Sequence, residues 1–217
     1  MRTILIKEFC AENFTQIPAA IDHGADRIEL CDNLAVGGTT VSYGVAAHTI
    51  PYCHSRNVPV MVMIRPRCGN FVYSHDEVRM MCADIEQARR LKADGIVFGC
   101  LTEQNQLNTA ATAKLIEAAT DLEITFHMAF DQLSPENQLS AIDWLAEHHV
   151  KRILTHGGSM NEPIERHFGY LQRLIQYAAG QLILLPGGGI SSQNAASVSK
   201  NLNVQEVHGT RIVPIAD

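Results

Sequence analysis

Short apolar runs and longer stretches of helical spacing take turns along this chain. Residues 58–65 show the first pattern, with Val60-Met-Val-Met-Ile64 almost unbroken, as expected of a strand covered on both faces. Residues 15–24 show the second: Ile17, Ala20 and Ile21 recur at helical spacing, Asn13 or Thr15 serves as cap, and Gly24 ends the run. Read this way, the pattern predicts strands over 4–10, 26–31, 58–65, 95–99, 123–126, 152–155, 182–185 and 204–208. Helices fall between them over 15–24, 42–55, 76–93, 109–119, 135–149, 162–179 and 192–200, the fifth capped by Ser134 with Pro135 in its first turn.

Eight strands, each of the first seven followed by a helix, restrict the topology to an open doubly wound sheet or a closed barrel. Eight such units within 217 residues fit a (β/α)8 TIM barrel, and nothing in the composition marks a linker or second domain, so one barrel domain over 1–217 is expected. Only nine residues follow His208 and they include Pro214, so the last helix is short or missing. That leaves part of the barrel wall for a partner chain, and a homo-oligomer is expected.

Apolar residues make up 46% of the chain and charged residues 18%, an ordinary globular composition. A net charge of -6 and the absence of any Lys/Arg block argue against a nucleic-acid partner. No apolar run approaches the roughly 18 residues of a membrane helix, and the N-terminus carries no signal-peptide core. A cytoplasmic protein is expected. The six cysteines, Cys10, Cys31, Cys53, Cys68, Cys82 and Cys100, include no CxxC pair and read as free thiols in a reducing compartment. Of these, Cys53, Cys82 and Cys100 read as core or helix-face residues and Cys68 as the exposed thiol.

Five strand ends repeat polar, spacer, polar: Glu8-Phe-Cys10, Glu29-Leu-Cys31, Arg65-Pro-Arg67, Thr125-Phe-His127 and Glu206-Val-His208. Alternation puts both polar residues of each on one face, and five such faces pointing inward would line one mouth of the barrel. Cys10 and Cys31 sit at matching positions on neighbouring strands about 4.8 Å apart. Two soft thiolates suit a soft ion, Cu(I) first, although an intracellular cysteine also serves as a small buried hydrophobe. Arg65 and Arg67 bracket a proline and suit bidentate grip of an anion, or internal pairing with Glu8 or Glu29. The run Pro186-Gly187-Gly188-Gly189 and the turn His208-Gly209-Thr210 stand where phosphate-binding barrels expose backbone N–H groups. His127 is a candidate general acid or base, or a metal ligand, with Asp131 as orienting partner; a satisfied core histidine is the competing reading.

Several of these stretches together resemble the CutC family of copper homeostasis proteins. They are Asp26-Arg-Ile-Glu-Leu-Cys31, the Gly37-Gly-Thr-Thr loop, Ile64-Arg-Pro-Arg67 with Gly69, Phe71 and Tyr73, Thr125-Phe-His127 with Ala129-Phe-Asp131, and Glu206-Val-His-Gly-Thr210. The match runs in order over nearly the whole chain. It implies a cytoplasmic, self-associating TIM barrel tied to copper tolerance, with Cys10 and Cys31 as the cysteines at its mouth. Departures are Cys68 and Asn70, where the family usually has Gly and Asp, and Met128, where Arg is common; Cys68 adds a further thiol that could serve a metal. Two functions follow as expectations. The first is a Cu(I)-binding protein using Cys10 and Cys31, with Glu8 and Glu29 as proton acceptors or charge partners. The alternative is an enzyme acting on a small anionic or phosphorylated metabolite, with Arg65 and the Gly187–Gly189 loop as clamp and His127, Glu8 or Glu29 as acid and base.

Overall fold

The structure is a computed structural model that describes residues 5–215. Its strands are β1 (Ile6–Glu12), β2 (Arg27–Cys31), β3 (Val60–Met63), β4 (Gly95–Phe98), β5 (Glu123–Phe126), β6 (Arg152–Thr155), β7 (Ile183–Pro186) and β8 (Glu206–Gly209). Between them lie α1 (Ile17–Asp22), α2 (Tyr43–His54), α3 (His75–Arg90), α4 (Thr109–Ala119), α5 (Pro135–Glu147), α6 (Phe168–Ala178) and α7 (Ala195–Leu202). Each strand pairs in parallel with its neighbours in the order β7-β6-β5-β4-β3-β2-β1-β8, so the first strand lies beside the last. The result is a nearly closed TIM barrel with seven helices outside it. No helix follows β8 among the described residues; the segment after it instead tucks Ile212 and Val213 into the core. Among the described residues no helix is long and apolar enough to cross a membrane.

Most of the expected elements lie where the pattern placed them, and three boundaries moved for identifiable reasons. β1 runs to Glu12 because its ladder with β2 continues to the Glu12–Cys31 pair; Ile4 falls outside the described residues. The expected helix over 162–179 breaks into a 3-10 turn at Ile164–His167 and then α6. Pro163 biases the residue before it away from helical backbone, so a helix starting at Glu162 is disfavoured. α7 starts at Ala195 because the Asn194 side chain accepts the Ser191 N–H at 2.8 Å and holds a turn ahead of it.

Alternation sorts the strand residues. Phe9, Ile28, Val60, Val62, Ile96 and Phe98 face the helices in the main core, whereas Cys10, Cys31, Met61, Met63 and Val97 form a separate cluster inside the barrel. The register sets Cys10 beside Glu29 and Glu29 beside Met61, one layer across three strands. Below it, Glu8 stands beside Arg27 and His208.

Candidate functional site

The loops leaving the C-terminal ends of the strands enclose a cavity of about 280 Å³. Cys10, Glu29 and His208 form its floor; Met63, Phe71, His127, Met128, Leu154 and Met160 contribute walls; Gly188, Gly189, Gly209, Thr210 and Arg211 make the lip. Walls of this kind leave the chemistry to the few polar groups at the bottom.

Those polar groups are connected. His208 Nδ1 donates to Glu8 Oε1 at 2.8 Å, and Glu8 pairs with Arg27. The same Arg27 donates to Glu206 at 2.6 Å, and Arg152 donates to Glu206 at 2.7 Å and to Glu123 at 2.6 Å. Above this charged layer, Cys10 Sγ lies 3.0 Å and Cys31 Sγ 3.5 Å from Glu29 Oε2, and His208 Nε2 is 3.7 Å from the same oxygen. His208 and Cys10 thus meet at the Glu29 carboxyl.

The proton positions follow from burial and neighbours. The hydrogen bond from Cys31, together with the His208 ring, outweighs the cost of burial and holds the Cys10 thiol well below the ordinary cysteine range. Cys31, the donor of that bond and itself buried, is pushed well above it. Burial, with Cys10 beside it, raises the Glu29 carboxyl well above the usual carboxylate range. Burial opposes a charged His208, yet Glu29, Cys10 and Glu8 around it outweigh that, so the ring keeps its proton well above the ordinary histidine range. Burial also opposes charge on Glu8, but the Arg27 guanidinium and then His208 hold it down at about 2. The floor therefore gathers Cys10, Cys31 and His208 around the Glu29 carboxyl, with the Cys10 proton loosely held, the His208 proton firmly held and an ionised Glu8 orienting the ring.

His127 caps the 3-10 turn Met128–Gln132: its Nδ1 accepts the Ala129 N–H at 3.2 Å, and its ring packs on Phe71 with centroids 4.8 Å apart. Burial, aided by Arg65, pushes its pKa down to about 3, so at neutral pH the ring is uncharged. Its Nε2 is buried without a protein partner.

Other expected site residues lie elsewhere. Cys10 and Cys31 are not at matching positions: Cys31 pairs with Glu12, two residues beyond Cys10, because strands in a tilted barrel are staggered. Their thiols still meet through Glu29. Arg65 is buried, but it does not pair with Glu8 or Glu29, nor does it line the cavity. Its guanidinium donates to the carbonyls of Val36 and Gly38 at 2.8 Å and of Gly69 at 3.0 Å, pinning the loops after β2 and β3. Arg67 points outward to Glu77, which also completes the capping box of α3 with Ser74. Asp131 does not orient His127; it accepts from Thr155, from the His156 N–H at 2.9 Å and from the Gly157 N–H at 3.3 Å, fastening the loop after β6. Gly187 spends its N–H on the Thr155 carbonyl at 3.0 Å, leaving Gly188 and Gly189 at the lip. Cys68 is exposed and away from the cavity, while Cys53 and Cys100 are buried and Cys82 half-buried, as their spacing implied. The sequence reading assigned no role to Arg27 and Arg152. Arg27 stands two residues before Glu29, so strand alternation alone puts it on the inner face.

A parallel eight-stranded barrel with buried thiols, an imidazole and carboxylates at its C-terminal mouth defines the class: a TIM-barrel protein whose polar pocket sits where barrel enzymes hold theirs. Residues 5–213 match the model of the CutC family, and the chain belongs to that family. A family protein CutC of Enterococcus faecalis (strain ATCC 700802 / V583) is 58% identical over 209 residues, spanning 96% of this chain and 100% of that one. A solved structure from Streptococcus agalactiae, named as a candidate copper homeostasis protein CutC, superposes with a TM-score of 0.94 at 42% identity, covering 97% of this chain and 100% of that one. A 2,3-dimethylmalate lyase of the PEP mutase/isocitrate lyase superfamily superposes at TM-score 0.65 with 14% identity, over 96% of this chain and 76% of that one, and shares the fold alone.

Proposed function

We propose that the chain is an enzyme that applies the Cys10 thiolate to a small anionic metabolite held in the barrel mouth. The observation that carries this reading is the connected series Arg27, Glu8, His208, Glu29, Cys10 at the floor of a cavity of about 280 Å³. A nucleophile beside an acid–base group that a third residue orients is the arrangement thiol catalysis needs. In it, Cys10 is the nucleophile, His208 holds or delivers the proton beside the sulfur, and Glu8, kept ionised by Arg27, fixes the ring. Volume supports a small ligand, since the cavity is near the lower end of small-molecule pockets, about 300 Å³. The lip of Gly188, Gly189, Thr210 and Arg211 supports an anionic end on that ligand. Six free cysteines agree with a reducing, cytoplasmic setting.

Cu(I) is the second reading, favoured by one observation: Cys10, Glu29 and Cys31 offer ligand atoms that all lie within 4.8 Å of one another. Two sulfurs form a donor set suited to a soft ion, and Cys10 and Cys31 would hold it. It ranks second because Cys31 is fully buried and holds its proton firmly, so forming a second thiolate beside the first is costly.

The test is iodoacetamide labelling of the full-length reduced protein with peptide mapping. Cys10 is expected to be alkylated readily in wild type and at least about tenfold more slowly in His208→Asn, because the ring stabilises the thiolate. Equal rates would sink the enzyme reading. Cu(I) competition against a calibrated chelator, run on Cys10→Ser and Cys31→Ser, covers the second: one tight equivalent lost in both variants supports it, and indifference to both removes it.

A further inference from the structure

Seven buried side-chain nitrogen or oxygen atoms among the described residues have no hydrogen-bond partner, and two of them belong to residues of the cavity wall: Glu29 Oε1 and His127 Nε2. Buried polar groups are normally paired, so an unpaired one in a pocket marks a partner that arrives with the ligand. Glu29 already contacts both thiols and His208 through its other oxygen. His127 has its own, separate setting at the end of β5.

The tautomer of His127 is fixed by its neighbours. Nδ1 accepts the Ala129 N–H, so in the neutral ring the proton resides on Nε2, and Nε2 is the unpaired atom. The ring is also held in place. It packs on Phe71, and it sits so close over Gly99 that a Cβ there would come within 2.6 Å of its Cε1 and Nδ1. A second proton is disfavoured by burial and by Arg65, which keeps the ring a donor rather than a base. A rigid neutral N–H without a protein partner is suited to an oxygen that gains negative charge during reaction.

We infer that His127 Nε2–H receives the carbonyl oxygen of the pocket's ligand, which makes the substrate class a small carbonyl compound with an anionic group. This rests on the enzyme reading above and narrows it. His127 polarises the carbonyl from the β5 side of the cavity while the Cys10 sulfur adds to its carbon from the floor. The C=O π pair moves onto the oxygen, which takes the proton held by His208, so a hemithioketal forms and no group is lost. The role expected of His127 as a general acid or base is thereby replaced by that of an electrophile.

Pyruvate and propionate are the probes, since they share a carboxylate and differ by the keto oxygen. Titrating the full chain by NMR, pyruvate is expected to bind about tenfold or more tighter than propionate, the discrimination of a donor otherwise left unpaired. His127→Asn keeps a carbonyl for the Ala129 N–H but places nothing at the Nε2 position, and is expected to erase the difference. His127→Gln places an amide N–H near that position and is expected to restore most of it, which a merely structural role would not do. Equal binding of the two acids by wild type, or a preference that survives His127→Asn, overturns the assignment and leaves the thiol chemistry standing. Binding of neither acid also overturns the carbonyl class, and the Cys10 labelling rates then decide separately whether the enzyme reading survives.

Discussion

A histidine at the end of a buried strand has two neutral tautomers, and its neighbours choose between them. At His127 the choice carries a stability cost in acid. Its pKa is about 3 in the fold against 6.5 in the unfolded chain, so below pH 6.5 the unfolded chain binds a proton that the folded chain refuses. Stability from this group is complete above 6.5 and falls as pH drops towards 3. Acidification from pH 6 to pH 4 should therefore destabilise wild type more than His127→Asn, by about 1.4 kcal/mol for each pH unit. Urea unfolding of both proteins at several pH values checks this; parallel curves would contradict it. At this scale the sequence was legible where period two applies: Glu8, Cys10, Glu29, His127 and His208 were all expected on inner faces and all are buried near the mouth. It was not legible for Arg65, Arg67 and Asp131. Their long or loop-borne side chains find partners in other loops or, for Arg67, in the first turn of α3, which no local spacing encodes.

Elements add constraints that single residues do not show. Gly95 opens β4 beneath Met61 and beside the Glu123 carbonyl, where a Cβ would lie 2.5 Å from that backbone oxygen. A backbone atom in a paired strand cannot step aside, so Gly95→Ala should cost about 1–3 kcal/mol, read as a lower urea midpoint at unchanged slope. α3 depends on its first turn. Ser74 accepts the Glu77 N–H at 3.2 Å, and Glu77 returns a bond to the Ser74 N–H at 2.7 Å while also pairing with Arg67. Ser74→Ala should cost about 1 kcal/mol in the same assay. Most strands and helices could be read from periodicity, and α4, β5 and β6 begin and end where the pattern put them. The stagger between β1 and β2 could not, because it is set by how the sheet tilts to close.

Across the whole molecule, a layer of charge crosses the barrel beneath the thiols: Arg27 between Glu8 and Glu206, and Arg152 between Glu206 and Glu123. It links β1, β2, β5, β6 and β8, on either side of the one seam, between β7 and β8, that no ladder bridges. Removing one member leaves opposite charges buried. Arg27→Met is expected to destabilise the fold by about 3–5 kcal/mol at pH 7 and to loosen His208 through Glu8; a loss below about 1 kcal/mol in urea unfolding would show the layer to be dispensable. The alternation of strand and helix, the number of barrel units and the inward places of Glu8, Cys10, Glu29, Cys31 and His208 were determined by the sequence alone, because periods of 2 and 3.6 are local properties of the chain. Which of those inward groups touch was decided only by the tertiary structure. Glu8 and His208 are 200 residues apart and Cys10 stands beside Glu29 rather than Cys31, because barrel closure brings the last strand to the first and its stagger sets who faces whom.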